Sequence, residues 1–163
     1  MGRLVQFQRI YLDSNIFIRA FESNPDDAIG QDLVGILGLI RLGQPPRFVT
    51  SQVTLAEVLV QPIRIGDDYK RQLYVRLLST STPWLQVRAV SRSVLMQAAE
   101  LRAISKLKLP DAIHAASAML SNCSHILTAD TDFQELPRTS PEAPKSIQPT
   151  KENLDAITAW LRT

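Results

Sequence analysis

The sequence contains few of the residues that build disulfide frameworks, zinc sites and membrane spans. Its 163 residues include one cysteine, Cys123, and two histidines. An internal disulfide is therefore impossible, and a structural zinc site of the usual Cys and His type is excluded. No apolar run approaches the ~20 residues of a membrane-spanning helix, and the first residues lack the apolar core of a signal peptide. We therefore expect a protein of the reducing cytoplasm without a membrane anchor.

Glycine is also scarce, and the two signs of charge nearly balance. The six glycines form no Gly-rich phosphate-binding loop. The net charge of +2 says nothing by itself about nucleic acid, although the 18 basic residues could form a local patch. With 45% hydrophobic and 21% charged residues, the composition is typical of a globular chain with enough core for one domain.

Short apolar runs alternate with helical patterns along the chain. Strands are predicted at 10–13, 47–50, 84–90 and 125–128, and helices at 14–22, at 26–42, from about 51 or 54, at 67–80, at 91–105 and from 110. This alternation predicts an α/β fold, a three-layer sandwich with a mostly parallel central sheet flanked by helices. We assign residues 1–136 to this domain. The proline-rich segment 137–163 is interpreted as a tail, with a short extended piece and a final helix, packed on the same domain.

The helix predicted at 26–42 is apolar around more than one stripe of its surface. Such a helix must be buried on two sides, either entirely within the domain or with one side against another chain. A turn at 43–46 is predicted to follow it, because glycine and two prolines interrupt the helical pattern there.

Four acidic residues stand at the junctions between these elements: Asp13, Glu57, Asp111 and Asp130. Each has a purely structural explanation. Asp13 could cap the helix that follows it, and Glu57 could complete the capping box that begins at Thr54. Asp111 could be a favourable charge in the first turn of its helix, and Asp130 could form an Asx turn.

The joint placement of these acids favours a metal site. In a parallel sheet the four positions fall at one edge, where the carboxyl ends of the strands meet. Two like charges ~4 Å apart repel by about 4 kcal/mol even at an effective dielectric of ~20, so such a group calls for a cation. Magnesium prefers oxygen ligands, keeps several waters and commonly takes one or two direct carboxylates. A site of this kind suits attack of a metal-activated water on a phosphodiester.

The four acidic motifs, in their order along residues 9–135, resemble those of PIN-domain nucleases. The motifs are Leu12-Asp13-Ser14-Asn15-Ile16, Ala56-Glu57-Val58, Leu109-Pro110-Asp111-Ala112-Ile113-His114-Ala115-Ala116 and Leu127-Thr128-Ala129-Asp130-Thr131-Asp132-Phe133. Within that family they look most like the VapC-type toxins of bacterial toxin–antitoxin pairs. The resemblance implies a Mg²⁺- or Mn²⁺-dependent endoribonuclease that hydrolyses RNA. It also implies a homodimer, and inhibition by a small antitoxin lying in a groove near the first helices.

The resemblance further implies the roles of individual residues. The catalytic and metal-binding set would be Asp13, Glu57, Asp111 and Asp130. Asn15 and Thr128 would be polar supports beside this set, and Asp132 could replace Asp130 as the fourth acid because only two positions separate them.

Other interpretations stay open at this point. His114 lies one helical turn after Asp111, so it is either a partner of the acids or a packed core residue. A non-catalytic PIN-like module that binds RNA or protein is the main alternative function. A phosphatase or phosphotransfer receiver is disfavoured, because Asp13 lacks a second aspartate two positions on and no lysine follows a late strand. Neither the RNA target nor the choice between Mg²⁺ and Mn²⁺ can be read from these residues.

Overall fold

The structure, a computed structural model, describes residues 6–39, 45–79, 82–136 and 143–163. Within these ranges five strands form one sheet in the order β3-β2-β1-β4-β5, and every pairing is parallel. The strands are β1 Ile10–Leu12, β2 Phe48–Ser51, β3 Leu85–Arg88, β4 His125–Leu127 and β5 Lys145–Ile147. The predicted parallel α/β sandwich is therefore confirmed.

Helices connect the strands and cover both faces of the sheet. They are α1 Ser14–Glu22, α2 Ala28–Leu37, α3 Gln52–Val58, α4 Val60–Ile65, α5 Asp68–Leu77, α6 Arg92–Ala103, α7 Leu109–Leu120 and α8 Lys151–Leu161, with a 3₁₀ helix at Thr131–Glu135. Most of their first residues follow a capping side chain. Ser91, for example, accepts a hydrogen bond from the Val94 amide, as the sequence predicts for this helix start. None of the helices in the described ranges is long and apolar enough to cross a membrane.

Successive strand residues point into two separate cores. Ile10 and Leu12 of β1 pack in the core shared with α1, α2 and α8, whereas Tyr11 between them packs in the core shared with α6 and α7. This alternation follows from the two-residue period of a strand. All three residues are almost completely buried, as expected for a central strand of a parallel sheet covered on both faces.

The predicted helix 26–42 is shorter in the structure. α2 ends at Leu37, and Gly38 forms its C-terminal cap. Glycine is a weak helix former, and Gly35 and Gly38 together lower the helix propensity around this end. Residues 40–44, which include the predicted last residues of this helix and part of the predicted turn, lie outside the described ranges. The apolar side of α2 packs against α1 and α8 of the same chain, while Val34 stays 44% exposed.

The last described segment is an integral part of the sandwich. β5 pairs with β4 at the edge of the sheet, and the Thr128 amide donates to the Ile147 carbonyl oxygen at 3.0 Å. α8 buries Leu154 and Ile157 in the core beneath α2. The predicted extended piece and final helix are thus confirmed as elements. Residues 137–142 lie outside the described ranges.

β1 lies at the point where the strand order changes direction, because the chain continues from β1 to β2 on one side and β4 lies on the other. In open parallel sheets a crevice forms at such a point, at the carboxyl ends of the strands. The residues directly after β1 and β4 are Asp13 and Thr128. The fold therefore places the first predicted acid in this crevice.

Candidate active site

Asp13 is held at the crevice by backbone pairing and by the start of α1. Leu12 is in register with Leu127, and the Asp13 amide donates to the Leu127 carbonyl oxygen at 3.2 Å. One carboxylate oxygen, Oδ1, accepts from the Ser14 amide at 2.7 Å and so caps α1. The capping explanation of Asp13 is therefore correct. It leaves open what the other oxygen does.

The other carboxylate oxygen of Asp13 binds two side-chain donors. Oδ2 accepts from Asn15 Nδ2 and from Thr128 Oγ1, both at 2.6 Å. Asn15 is fixed in turn, because its Oδ1 accepts from the Ala129 amide at 3.0 Å. A carboxylate oxygen has about two lone-pair positions, so these two donors saturate Oδ2. Oδ1 has further donors besides the Ser14 amide, because the Ser14 hydroxyl and His114 Nε2 each lie 3.4 Å from it. Asn15 and Thr128 thus support the carboxylate sterically and electrostatically.

Glu57 faces the same crevice from α3. The capping box predicted from Thr54 does not form, because Ser51 caps α3 and Thr54 lies inside the helix, bonded to the Thr50 hydroxyl. The carboxylate of Glu57 instead contacts a histidine, with His114 Nε2 2.7 Å from Glu57 Oε2. Burial raises the pKa of Glu57, but the hydrogen bond and charge of His114 outweigh it, so the net pKa lies below its usual range. Glu57 is therefore ionised at neutral pH.

His114 connects three elements of the site. Its ring is 1% exposed, its Nδ1 lies 2.7 Å from the Tyr11 hydroxyl oxygen, and its Nε2 lies 3.4 Å from Asp13 Oδ1. Of the two interpretations left open by the sequence, the structure favours a partner of the acids. Tyr11 was not predicted as a site residue. It lies two residues before Asp13, but only the position of His114, 103 residues away, reveals its contact.

Asp111 opens α7 on the same side of the crevice. Its pKa is raised, first by burial and then by nearby negative charge, and His114 lowers it in part. The carboxylates whose charges raise it are those of Asp130, Asp13 and Glu57. The carboxylates of the other three predicted acids are therefore close enough to Asp111 to repel its negative charge. This agrees with the prediction that the four acids lie at one edge of a parallel sheet.

Asp130 and Asp132 have different surroundings. Asp130 is half-buried, and its Oδ1 accepts from the Asp132 amide at 2.8 Å, which is the predicted Asx turn. Asp132 is exposed, and its carboxylate lies 3.9 Å from Lys108 Nζ. Of the two, only Asp130 contributes to the raised pKa of Asp111. This difference favours Asp130 as the fourth acid.

The donor set fits a hard divalent cation. Candidate ligand atoms of Asp13, Glu57 and His114 lie within 4.8 Å of one another, and so do those of Asp111, Asp130 and Asp132. Five of these six side chains offer carboxylate oxygens, which Mg²⁺ and Mn²⁺ both accept. Burial, and then the charges of the neighbouring carboxylates, raise the pKa of Asp111. A cation among these carboxylates would remove the repulsion between their charges.

Comparison with known proteins gives one family and several solved structures. A family model, the PIN domain, matches residues 10–139. A toxin–antitoxin complex from Klebsiella pneumoniae is 21% identical, with a TM-score of 0.58 over 88% of this chain and 98% of that one. VapC20 of Mycobacterium tuberculosis, described as a sarcin–ricin loop cleaving toxin, is 20% identical, with a TM-score of 0.59 over 81% and 99%.

A third similar structure is VapBC2 from Rickettsia felis, bound to a DNA fragment from the promoter. It is 17% identical, with a TM-score of 0.58 over 86% of this chain and 98% of that one. The comparison with curated proteins gives no match. At these identities the solved structures agree with the fold, and the family match spans the residues that carry the four acids.

Proposed function

We propose that this chain, which belongs to the PIN domain family, is a metal-dependent endoribonuclease and the toxin of a toxin–antitoxin pair. The observation that carries the proposal is the convergence of carboxylates at the crevice, where candidate ligand atoms of Asp13 and Glu57, and those of Asp111 and Asp130, lie within 4.8 Å of each other. Caps and turns explain three of the four acids locally. They do not explain why these side chains converge on one another.

In the proposed site, Asp13, Glu57, Asp111 and Asp130 hold Mg²⁺ or Mn²⁺. When bound, such a cation lowers the pKa of water and stabilises charge on the leaving oxygen of a phosphodiester. The side chains of Asn15 and Thr128 hold the Asp13 carboxylate in one orientation, because both donate hydrogen bonds to it.

The assignment of the remaining acids follows their surroundings. Glu57 is ionised and half-exposed, so it can accept a proton from a water or orient one. Burial, and then the charges of Asp130 and Asp13, raise the pKa of Asp111, so a bound cation would favour its ionised form. We place Asp130 beside Asp111 as the fourth acid, and Asp132 outside the set.

The proposed partners are RNA as substrate, a small antitoxin protein and a second copy of this chain, all in the cytoplasm. Solved structures similar to this one include a toxin–antitoxin complex and a VapBC pair, which supports an antitoxin partner. Among the described residues, apolar side chains stay half-exposed or more on α4, namely Val60, Ile63 and Ile65. Such an apolar group on a short helix is typical of a surface that another chain covers.

The test is cleavage of a labelled structured RNA pool by the purified protein, with Mg²⁺, Mn²⁺ or a chelator. Four proteins are compared, namely wild type, Asp13→Asn, Asp132→Asn and Asp155→Asn. Asp155 is a matched control, because it lies on α8 and pairs only with Lys151 in the described structure, at 3.0 Å. We expect metal-dependent cleavage by wild type and Asp155→Asn, and a loss of about 100-fold or more for Asp13→Asn.

Three results would contradict parts of the proposal. Equal cleavage by wild type and Asp13→Asn would show that the activity lies elsewhere. No cleavage by any variant, together with no rise in melting temperature on adding Mg²⁺ or Mn²⁺, would favour a non-catalytic PIN-like binding module. A loss for Asp132→Asn as large as that for Asp13→Asn would contradict the placement of Asp132 outside the set.

A further inference from the structure

A buried hydrogen-bonded chain of three side chains reaches the proposed site from the core. Tyr11 on β1, His114 on α7 and Glu57 on α3 are joined by two contacts of 2.7 Å, one to each nitrogen of the imidazole ring. Tyr11 and His114 are 0% and 1% exposed, so water does not compete for these contacts. The sheet and two helices are therefore linked at a single ring.

The position of the ring proton follows from the neighbours of each nitrogen. Burial, and then the charge of Asp13, raises the pKa of Tyr11, so the phenol keeps its proton and can donate it to Nδ1. On the other side, Nε2 faces Glu57 Oε2 at 2.7 Å and Asp13 Oδ1 at 3.4 Å. Ionised carboxylates only accept hydrogen bonds, so Nε2 must carry a proton. Nε2 carries this proton whether the ring is neutral or is the doubly protonated imidazolium.

We propose that His114 is a positioning residue of the nuclease site, which donates from Nε2 to hold the Glu57 carboxylate beside Asp13, while Tyr11 fixes the ring. The effect of His114 on catalysis rests on the proposed function, whereas the hydrogen bonds that it makes do not. This bond engages Glu57 Oε2, and the Ser14 side chain also hydrogen-bonds to the Glu57 carboxylate. The histidine thus limits the orientations that the Glu57 carboxylate can take in the crevice.

The rival role for His114 is that of a metal ligand, since its nitrogen lies within 4.8 Å of ligand atoms of Asp13 and Glu57. A ligand nitrogen must give up its proton, and Nδ1 would then carry the proton and donate to the Tyr11 oxygen. Mg²⁺ strongly prefers oxygen, whereas Mn²⁺ lies closer to the metals that imidazole suits. The two roles therefore differ in the protonation of Nε2 once metal is present.

Nitrogen NMR of the two histidines decides between these roles. Protein labelled with ¹⁵N-histidine is measured first with a chelator and then with saturating Mg²⁺, which is diamagnetic. The His125→Gln variant assigns the signals, because the sequence contains only His114 and His125. We expect a protonated Nε2 on His114 in both samples. An unprotonated Nε2 in the metal-free protein, or the loss of its proton on adding Mg²⁺, would overturn the proposal.

Kinetics of matched variants test the consequence for catalysis. We expect His114→Leu to lower kcat by about 10- to 100-fold, with little change in the KM for RNA. His114→Gln should recover part of that loss, because a glutamine amide N–H can replace Nε2–H as the donor. Tyr11→Phe should give a smaller loss, because the ring keeps its bond to Glu57 but loses its fixed orientation. His125→Gln is the control, since in the described structure His125 contacts Ser124 and Phe7, away from the acids.

The outcomes separate this proposal from the nuclease assignment. Wild-type protein without RNA cleavage would overturn the nuclease assignment whatever the NMR shows. An active wild type in which His114→Gln is as impaired as His114→Leu, or in which KM rises while kcat stays constant, would overturn only the positioning role. If His114→Leu does not fold, the NMR measurement and the Gln variant still decide.

Discussion

Replacing Thr128 by valine should destabilise the metal-free protein far more than a threonine-to-valine change usually does. Its hydroxyl is fully buried and makes three hydrogen bonds. It donates to Asp13 Oδ2 at 2.6 Å, and it accepts from the Asp130 amide at 2.9 Å and from Asn15 Nδ2 at 3.1 Å. Valine has nearly the same shape, so the change removes these bonds while preserving the packing.

The magnitude follows from the partners that are left. A hydrogen bond to a charged group contributes about 1.5–3 kcal/mol, and the unpaired Asp130 amide adds about 1 kcal/mol. The Asn15 amide keeps its bond to Asp13, so it adds little. We therefore expect a loss of roughly 2–4 kcal/mol in the free energy of unfolding, and for a domain of this size a fall of about 5–15 °C in melting temperature.

The assay is urea unfolding followed by circular dichroism, in the presence of a chelator. Thr158→Val is the control, because Thr158 donates only to the Leu154 carbonyl oxygen of its own helix, at 2.8 Å. That variant should change the free energy of unfolding by no more than about 0.5 kcal/mol. A double-mutant cycle of Thr128→Val with Asp13→Asn should give a coupling of roughly 1–3 kcal/mol. Equal losses for the two valine variants, or no coupling, would refute the role of this hydroxyl at Asp13.

Two further predictions concern regions away from the acids. A Cβ added at Gly30 would overlap the Ser23 hydroxyl oxygen and lie 3.1 Å from the Arg19 carbonyl oxygen, whereas one at Gly35 would meet nothing within 4 Å. Gly35→Ala should therefore stabilise the protein by about 0.5–1 kcal/mol in the same unfolding assay. Gly30→Ala should be less stable than Gly35→Ala by roughly 1–3 kcal/mol. Equal stabilities of the two variants would refute the close contact of Gly30 with the end of α1. Burial raises the pKa of the Cys123 thiol to about 12. A disulfide reagent at pH 8 should therefore label native protein at least about 10³-fold more slowly than unfolded protein. Fast labelling of native protein would contradict this burial.

The acids at the strand ends could be predicted because their positions depend on local sequence. Asp13 follows a short apolar run and precedes a helical pattern, and that order alone places it at the carboxyl end of a strand. Asp130 is predicted by the same reasoning. Glu57 is ambiguous in the sequence, because Thr54 three residues earlier imitates a capping box. The structure caps α3 with Ser51, one of the two helix starts that the sequence allows, so the Glu57 side chain is not used in a capping box.

The buried contacts of the site could not be predicted, because they join distant parts of the chain. Whether a buried histidine is a packed residue or a partner of the acids depends on its neighbours. For His114 these are Tyr11 and Glu57, which are 103 and 57 residues away. The early end of α2 is a different kind of difference. The helix ends where Gly35 and Gly38 lower the helix propensity of the segment. The spacing of apolar residues, on which the predicted helix rests, does not include helix propensity.

The pairing of β1 with β4 has a consequence for the order of events during protein synthesis. Asp13 and Thr128, which share a hydrogen bond, are separated by 115 residues. A nascent chain that has emerged only as far as α7 already carries three of the four acids, but it lacks the strand that fixes the first of them. At the usual 5–20 residues per second, the 17 residues from Asp111 to Thr128 take about 1–3 seconds to synthesise. The ribosome that makes the protein is thus exposed to a chain without a formed site until β4, and then β5 beside it, can join the sheet.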